Sequence, residues 1–247
     1  MNLRITNFIS LISLGAALML PATHSFAMLA QQSAKIDQSP FLLNFPRSLP
    51  TYIHQGSARV AVSIDREGKL KDYLVIGYTD IAFADATVEA IKRWSYEPAI
   101  YANEPVSVVS EIHCDFDKSG SVEVLNLSEM VSLYFSWWKQ YQMEYHPIGL
   151  KELDRIPVPV HVVTPIYPSS LAKAGVIGDV TVTFYIDEQG QIRMPAVSST
   201  TEIRLADMAV DALNQWKFEP PTSRGKPVLV KAVQTFKFKN GTVNTAN

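Results

Sequence analysis

From Asp179 to Ile186 apolar and polar residues alternate, with Val180, Val182, Phe184 and Ile186 on one side and Thr181, Thr183 and Tyr185 on the other. A period of two predicts a half-buried strand. Asp187-Glu188-Gln189-Gly190 predicts a turn, because Asp bonds nearby backbone and Gly accepts positive φ, and Ile192 to Val197 returns as the second arm of a hairpin. Leu205, Ala209, Ala212, Leu213 and Trp216 recur at helical spacing, which predicts an amphipathic helix of about three turns, with Thr200 and Thr201 before it as caps. Lys217-Phe218-Glu219-Pro220-Pro221 stops that element, since proline cannot donate to a continuing ladder. After a turn at Arg224-Gly225-Lys226, Val228 to Phe238 is the longest predicted strand. Val228, Val230, Ala232, Phe236 and Phe238 take its inward face; Lys231, Lys237 and Lys239 take the other. Upstream, Tyr167-Pro168 opens a short helix through Leu171 and Ala174 that Gly175 ends.

The same order of elements occurs earlier in the chain. Ser-Ile-Asp-Arg-Glu-Gly around Ile64 returns as Tyr-Ile-Asp-Glu-Gln-Gly around Ile186, an offset of 122 positions. That offset carries Pro46 onto Pro168, Gly56 onto Gly178, Asp85 onto Asp207, Trp94 onto Trp216, Pro105 onto Pro227, Val106 onto Val228 and Phe116 onto Phe238. Between Phe45 and Phe116, 22 of 72 aligned positions are identical without a gap, where unrelated sequence of ordinary composition gives about 4 to 5. The chain is a duplicated module. In the first copy Ala58, Val60, Val62 and Ile64 form the inward face of a strand, Asp65 to Gly68 a turn, Phe83, Ala90, Ile91 and Trp94 a helix, and Val106 to Phe116 the long last strand. Trp94 and Trp216 read as core residues at the helix ends.

Each copy therefore predicts helix, strand, strand, helix, strand: an α+β fold with a small antiparallel sheet and helices packed on one face. The copies span residues 40–118 and 157–240, followed by a tail at 241–247. Sheet edges in so small a unit are predicted to lie bare. Between the copies, residues 119–156 predict a helical connector rich in aromatics: Met130, Leu133, Tyr134, Trp137 and Tyr141 share one stripe, Tyr145 follows, and Asn126 with Glu129 resembles a capping box. A flexible spacer would be poor in aromatics. Docking on the copies and an exposed partner patch are both open for this segment.

Residues 1–27 differ in kind. Arg4 precedes an apolar run from Phe8 to Leu20, Pro21 breaks it, and Ser25-Phe26-Ala27 offers small residues at a cleavage site. That is the layout of a signal peptide, with an apolar run shorter than the roughly 20 residues of a spanning helix. The alternative is an uncleaved anchor in the inner membrane. The 247 residues are 47% apolar and 19% charged, with a formal charge of -2. No basic excess exists to draw a nucleic-acid backbone.

Catalytic and metal chemistry is not predicted. His54, His113, His146 and His161 are scattered, and no cofactor is expected. On a strand, His113 and Cys114 point to opposite faces; Cys114 aligns with inward Phe236 and reads as a core thiol. Asp65 and Asp187 begin turns and have no carboxylate partner in sequence. Gly175-Val176-Ile177-Gly178 lacks the Lys-Ser or Lys-Thr of a phosphate loop, and no Gly-x-Ser-x-Gly elbow occurs. An enzyme is not expected.

In the second copy, Pro165-Ile166-Tyr167-Pro168, Gly175 to Gly178, Val180 to Asp187, Gly190, Trp216-Lys217-Phe218-Glu219-Pro220, Pro227-Val228 and Phe236-Lys237-Phe238 stand in an order that resembles the TonB carboxy-terminal domain family. The first copy keeps Phe45-Pro46, Gly56, Ile64-Asp65, Gly68, Trp94 to Pro98 and Pro105-Val106. The resemblance implies a non-enzymatic periplasmic protein that engages outer-membrane transporters, with a role in energy-coupled transport. Its partner is an extended transporter segment that adds a strand to an exposed sheet edge. Inner-membrane proton-motive-force machinery is a further partner, and a homo-oligomer is open. The resemblance places the partner edge at Val228, Val230, Lys231, Val233, Thr235 and Lys237, with Tyr167 and Thr164 beside it. Against simple transfer of the coupling role, the amino-terminal segment looks removable and no long proline-rich spacer follows it. The alternative class is a structural or assembly protein whose repeats pair edge on edge or form an oligomer.

Overall fold

The computed structural model describes residues 34–37, 43–101, 103–119, 122–127, 143–239 and 241–246. Each copy folds as predicted around one antiparallel sheet. The first contains β1 (Gln55–Ile64), β2 (Leu70–Tyr78), helix α1 (Ile81–Ile91), β3 (Val108–Asp117) and β4 (Val122–Leu127), in the order β2-β1-β3-β4. The second contains helix α2 (Ser169–Lys173), β5 (Gly178–Ile186), β6 (Ile192–Thr200), α3 (Ala206–Leu213), β7 (Val230–Lys239) and β8 (Thr242–Ala246), in the order β6-β5-β7-β8.

The predicted inward residues build the two cores. Val60, Val62 and Ile64 of β1 meet Phe83, Ala90 and Ile91 of α1 with Trp94, Ile112, Cys114 and Phe116. Val180, Val182, Phe184 and Ile186 of β5 meet Leu205, Ala209, Leu213 and Trp216, together with Phe236 and Phe238 of β7. Trp216 also donates its indole N–H to the Val163 carbonyl at 2.8 Å, which satisfies the ring's single donor inside the core.

The repeated turn has a common cause in both copies. Asp65 Oδ1 accepts from the N–H groups of Glu67 and Lys69, and Asp187 Oδ1 from those of Gln189 and Gln191. Gly68 and Gly190 follow at φ +75° and +77°. A Cβ would stand 2.4 Å from the Tyr96 carbonyl oxygen at Gly68 and 2.1 Å from that of Phe218 at Gly190. Backbone dihedral and space both require glycine there.

Four expectations need correction. The sheets have four strands, because β4 and β8 add to β3 and β7; the segment 241–247 read as a tail contains an ordered strand. Asn126 pairs with Ile112 at the end of β4, and the helix it is expected to cap lies outside the described residues. The stripe from Met130 to Tyr141 lies outside the described residues. Thr200 and Thr201 do not cap the second helix: their hydroxyls accept from Glu202 and Asp179, while the Glu202 carboxylate accepts from the Arg204 N–H at the helix start. Acidic Glu202 suits the positive helix end better than a hydroxyl. The first copy has turns at 47–52 where the second has α2.

The fourth correction concerns the outward faces. They are not solvent-facing along their length: the two sheets pack back to back on them, helices outside. Ala61 and Ile76 of the first sheet enclose a third core with Tyr185, Met194 and Leu229 of the second. Among the described residues the edge-on-edge closure of the alternative class is not found; faces meet there, not edges. Met194 reaches this layer through an irregularity in the β5–β6 register, where its backbone takes φ +50°. A bulge re-aims the side chain out of the alternating pattern.

Candidate functional site

At the centre of the inter-module layer is a carboxylate with three partners. Glu111 on β3 takes Arg59 Nη2 at 2.8 Å, the Tyr185 hydroxyl at 3.0 Å and Lys231 Nζ at 3.4 Å. Arg59 belongs to the first module, and Tyr185 and Lys231 to the second. Glu111 and Arg59 are buried, and Lys231 is half-buried over the Tyr185 ring. Burial pushes the Glu111 carboxyl upward, but the Lys231 and Arg59 charges outweigh it and the net shift is downward. The cluster fixes one module on the other. Lys231 was grouped by sequence with the outer lysines of β7; it is an internal ion-pair partner.

The expected partner edge is the outer side of β7. One side of that strand is fully occupied by β5, from Val230 opposite Ile186 to Phe238 opposite Gly178. On the other side β8 pairs with Thr235 through Lys239, and Ile148 bridges Val230 in parallel while donating its N–H to the Leu229 carbonyl at 2.8 Å. Among the described residues no strand pairs with 231–233 on that side. The edge is therefore a short window with a flank at each end, not the bare ladder the sequence predicts. The outer side of β8 is a further free edge among the described residues.

The predicted site residues fall into distinct roles around this window. Val230 is fully buried in the sheet interior. Val228 is half-buried and donates its N–H to the Pro221 carbonyl at 3.0 Å. Val233 is 61% exposed, unusual for valine on a strand, and it sits inside the window. Thr235 shares a hydroxyl contact of 3.0 Å with Thr181, and Lys237 is exposed opposite Asn244. Lys231, Val233, Thr235 and Lys237 thus share the outward face of one strand. Tyr167 belongs elsewhere: its hydroxyl donates to the Val176 carbonyl and its ring stands edge-on to Phe238 at 5.5 Å, on the helix side. Thr164 is exposed in the loop before it.

Sequence reading missed the residues that follow the aromatic stripe. Tyr145 exchanges both backbone hydrogen bonds with Tyr78 at the end of β2, at 3.1 and 3.3 Å, and their rings stack at 5.2 Å. Its hydroxyl donates to Glu188 at 2.5 Å. Burial, then this carboxylate, raises the Tyr145 phenol far above its ordinary range. Asp154 then accepts from the N–H groups of Arg224 and Gly225, at 2.8 Å each. The signal available in the sequence was the isolated aromatic at 145 beyond the helical stripe.

Cys114 is fully buried, with its thiol pushed up to about 12 by burial. His113 lies on the opposite face beside Asp115 at 3.3 Å. Among the described residues no group of three or more His, Cys, Asp or Glu side chains converges to hold a metal. No helix among them is long and apolar enough to cross a membrane.

The family model for the Gram-negative bacterial TonB protein C-terminal region matches twice, at residues 43–117 and 163–240. The chain belongs to the TonB C-terminal family. Protein TonB of Vibrio cholerae serotype O1 is 36% identical over 78 residues, covering 31% of this chain and 32% of that protein. Protein TonB of Pseudomonas aeruginosa is 35% identical over 82 residues, covering 33% of this chain and 24% of that protein. The chain thus spans about a third or less of the length of these relatives. The solution NMR structure of the Pseudomonas aeruginosa TonB CTD aligns with a TM-score of 0.32 at 34% identity, covering 38% of this chain and 94% of that one.

Proposed function

We propose that this TonB-family protein binds an extended segment of an outer-membrane transporter by strand addition to the outer edge of β7, in the service of energy-coupled transport. The observation that supports it most is the window at 231–233, where backbone groups face no strand among the described residues and Val233 offers exposed apolar surface. Main-chain hydrogen bonds would give affinity there, and the side chains of Val233 and Thr235 would read the incoming sequence. Natural sheets blunt such edges to avoid aggregation; here β8 and Ile148 leave only a short stretch open. The signal-peptide pattern of residues 1–27 supports a periplasmic location.

The test is hydrogen exchange on the full chain with a synthetic peptide carrying an extended transporter segment. Protection should rise at the outward-facing amides of 231–233. A response confined to side chains on α1 and α3 would show that strand addition is wrong.

A further inference from the structure

The window owes its length to its two flanks, and they are unequal. On one side β8 holds β7 through five paired residues, Thr242 to Ala246. On the other, residues 143–149 meet β7 at a parallel bridge, Ile148 opposite Val230, where the Ile148 N–H donates to the Leu229 carbonyl. A bridge at one residue gives way more readily than five paired residues, so the segment carrying Ile148 is the flank that yields first.

That segment is fastened to both modules. Upstream it holds the first module through the Tyr145–Tyr78 backbone pair and ring stack. Met143 lies so close to Gly77 that a Cβ there would come within 2.7 Å of its sulfur. Downstream, Asp154 anchors it to the backbone of Arg224 and Gly225 in the second module. Ile148 lies between these anchors, at the end of the edge where an incoming strand would continue past Lys231.

Resting on the strand-addition reading above, we propose that residues 143–149 are an autoinhibitory strap. They occupy the first rung of the partner edge in the resting protein and confine a partner to the window at 231–233. A longer partner strand displaces Ile148, takes the Leu229 carbonyl for itself and pulls on Tyr145. Occupancy of the second module is thereby transmitted to the β2 edge of the first.

Two variants of the full chain test this, with a short synthetic peptide of alternating valine and threonine as the probe, read by fluorescence anisotropy. Ile148→Pro removes the donor that competes for the rung, and should tighten peptide binding about five-fold, the equivalent of one hydrogen bond. The second is the double variant Tyr78→Cys with Tyr145→Cys, whose residues form a hydrogen-bonded antiparallel pair at a Cα separation that a disulfide spans. Oxidised, it should bind no more tightly than the native chain; reduced, on the same protein, it should gain affinity. Cys114, buried with a protonated thiol, stays out of the exchange. Peptide binding that is equal in native, Ile148→Pro, oxidised and reduced forms overturns the strap and leaves strand addition standing. No binding in any form overturns strand addition, and the strap with it. If Ile148→Pro fails to fold, the oxidised and reduced forms decide alone.

Discussion

Replacing Glu111 by Gln isolates the contribution of charge to the contact between modules. The substitution keeps the shape of the side chain but leaves Arg59 and Lys231 facing each other across the layer without their shared carboxylate. Removing one member of a buried ion pair costs about 3–5 kcal/mol, because the remaining charge stays desolvated. Arg59 has a side chain only 9% exposed, which places it in that regime; Lys231, at 28%, contributes less. Taking the lower end of the range, the melting temperature should fall by about 6–12 °C in a chain of this size. Glu89→Gln is the matched control, since its pair with Arg93 is exposed on a helix and such pairs are worth about 0.3–0.5 kcal/mol. The pH dependence fixes the sign. Because the folded Glu111 pKa lies below the ordinary glutamate value of 4.5, its stabilisation is present above that value and disappears as pH falls through the folded pKa. Differential scanning calorimetry at neutral and acid pH should therefore show a gap between native and Glu111→Gln that closes in acid. The variant should also split one transition into two as the modules separate. A loss below about 1 kcal/mol at neutral pH would refute back-to-back packing through this cluster.

Gly190→Ala should destabilise strongly, since it adds a positive-φ penalty to a Cβ 2.1 Å from the Phe218 oxygen. Gly225→Ala has the same sign of φ but nothing within 4 Å, so chemical denaturation should give a loss of only about 1 kcal/mol there. Comparable losses at the two sites would show that the β5–β6 turn is not packed against Phe218. Cys114 should resist thiol-specific labelling at pH 8 in the folded protein and react at once in denaturant, because its thiol titrates near 12. Rapid labelling of the native chain would contradict its place in the first core.

The modules were legible because one face of each strand faces a helix, and a period of two then records the burial directly. Val60, Val62 and Ile64, like Val180, Val182 and Phe184, lie where alternation puts them. β8 was illegible for the opposite reason. Thr242-Val243-Asn244-Thr245-Ala246 packs one partly buried apolar residue, Val243, against the core, and forms because β7 offers a ladder to extend. Such a strand is specified by its neighbour's backbone more than by its own side chains.

The contact between modules had a signal that becomes readable once the repeat is aligned. At outward strand positions the copies diverge in complementary ways: Arg59 against Thr181, Glu111 against Val233, Ser63 against Tyr185, Val109 against Lys231. A surface shared by two solvated modules has no reason to place one acid and one base in the first copy and a hydroxyl and a base in the second. An asymmetric interface does, because each side must supply what the other lacks. The same comparison explains why the edge stays open. Glu111 is buried while its counterpart Val233 is 61% exposed, so the two outward faces meet out of register with the repeat. That offset brings Lys231 under the first module and leaves Val233, two residues along the same face, beyond the contact and at the window in the β7 edge.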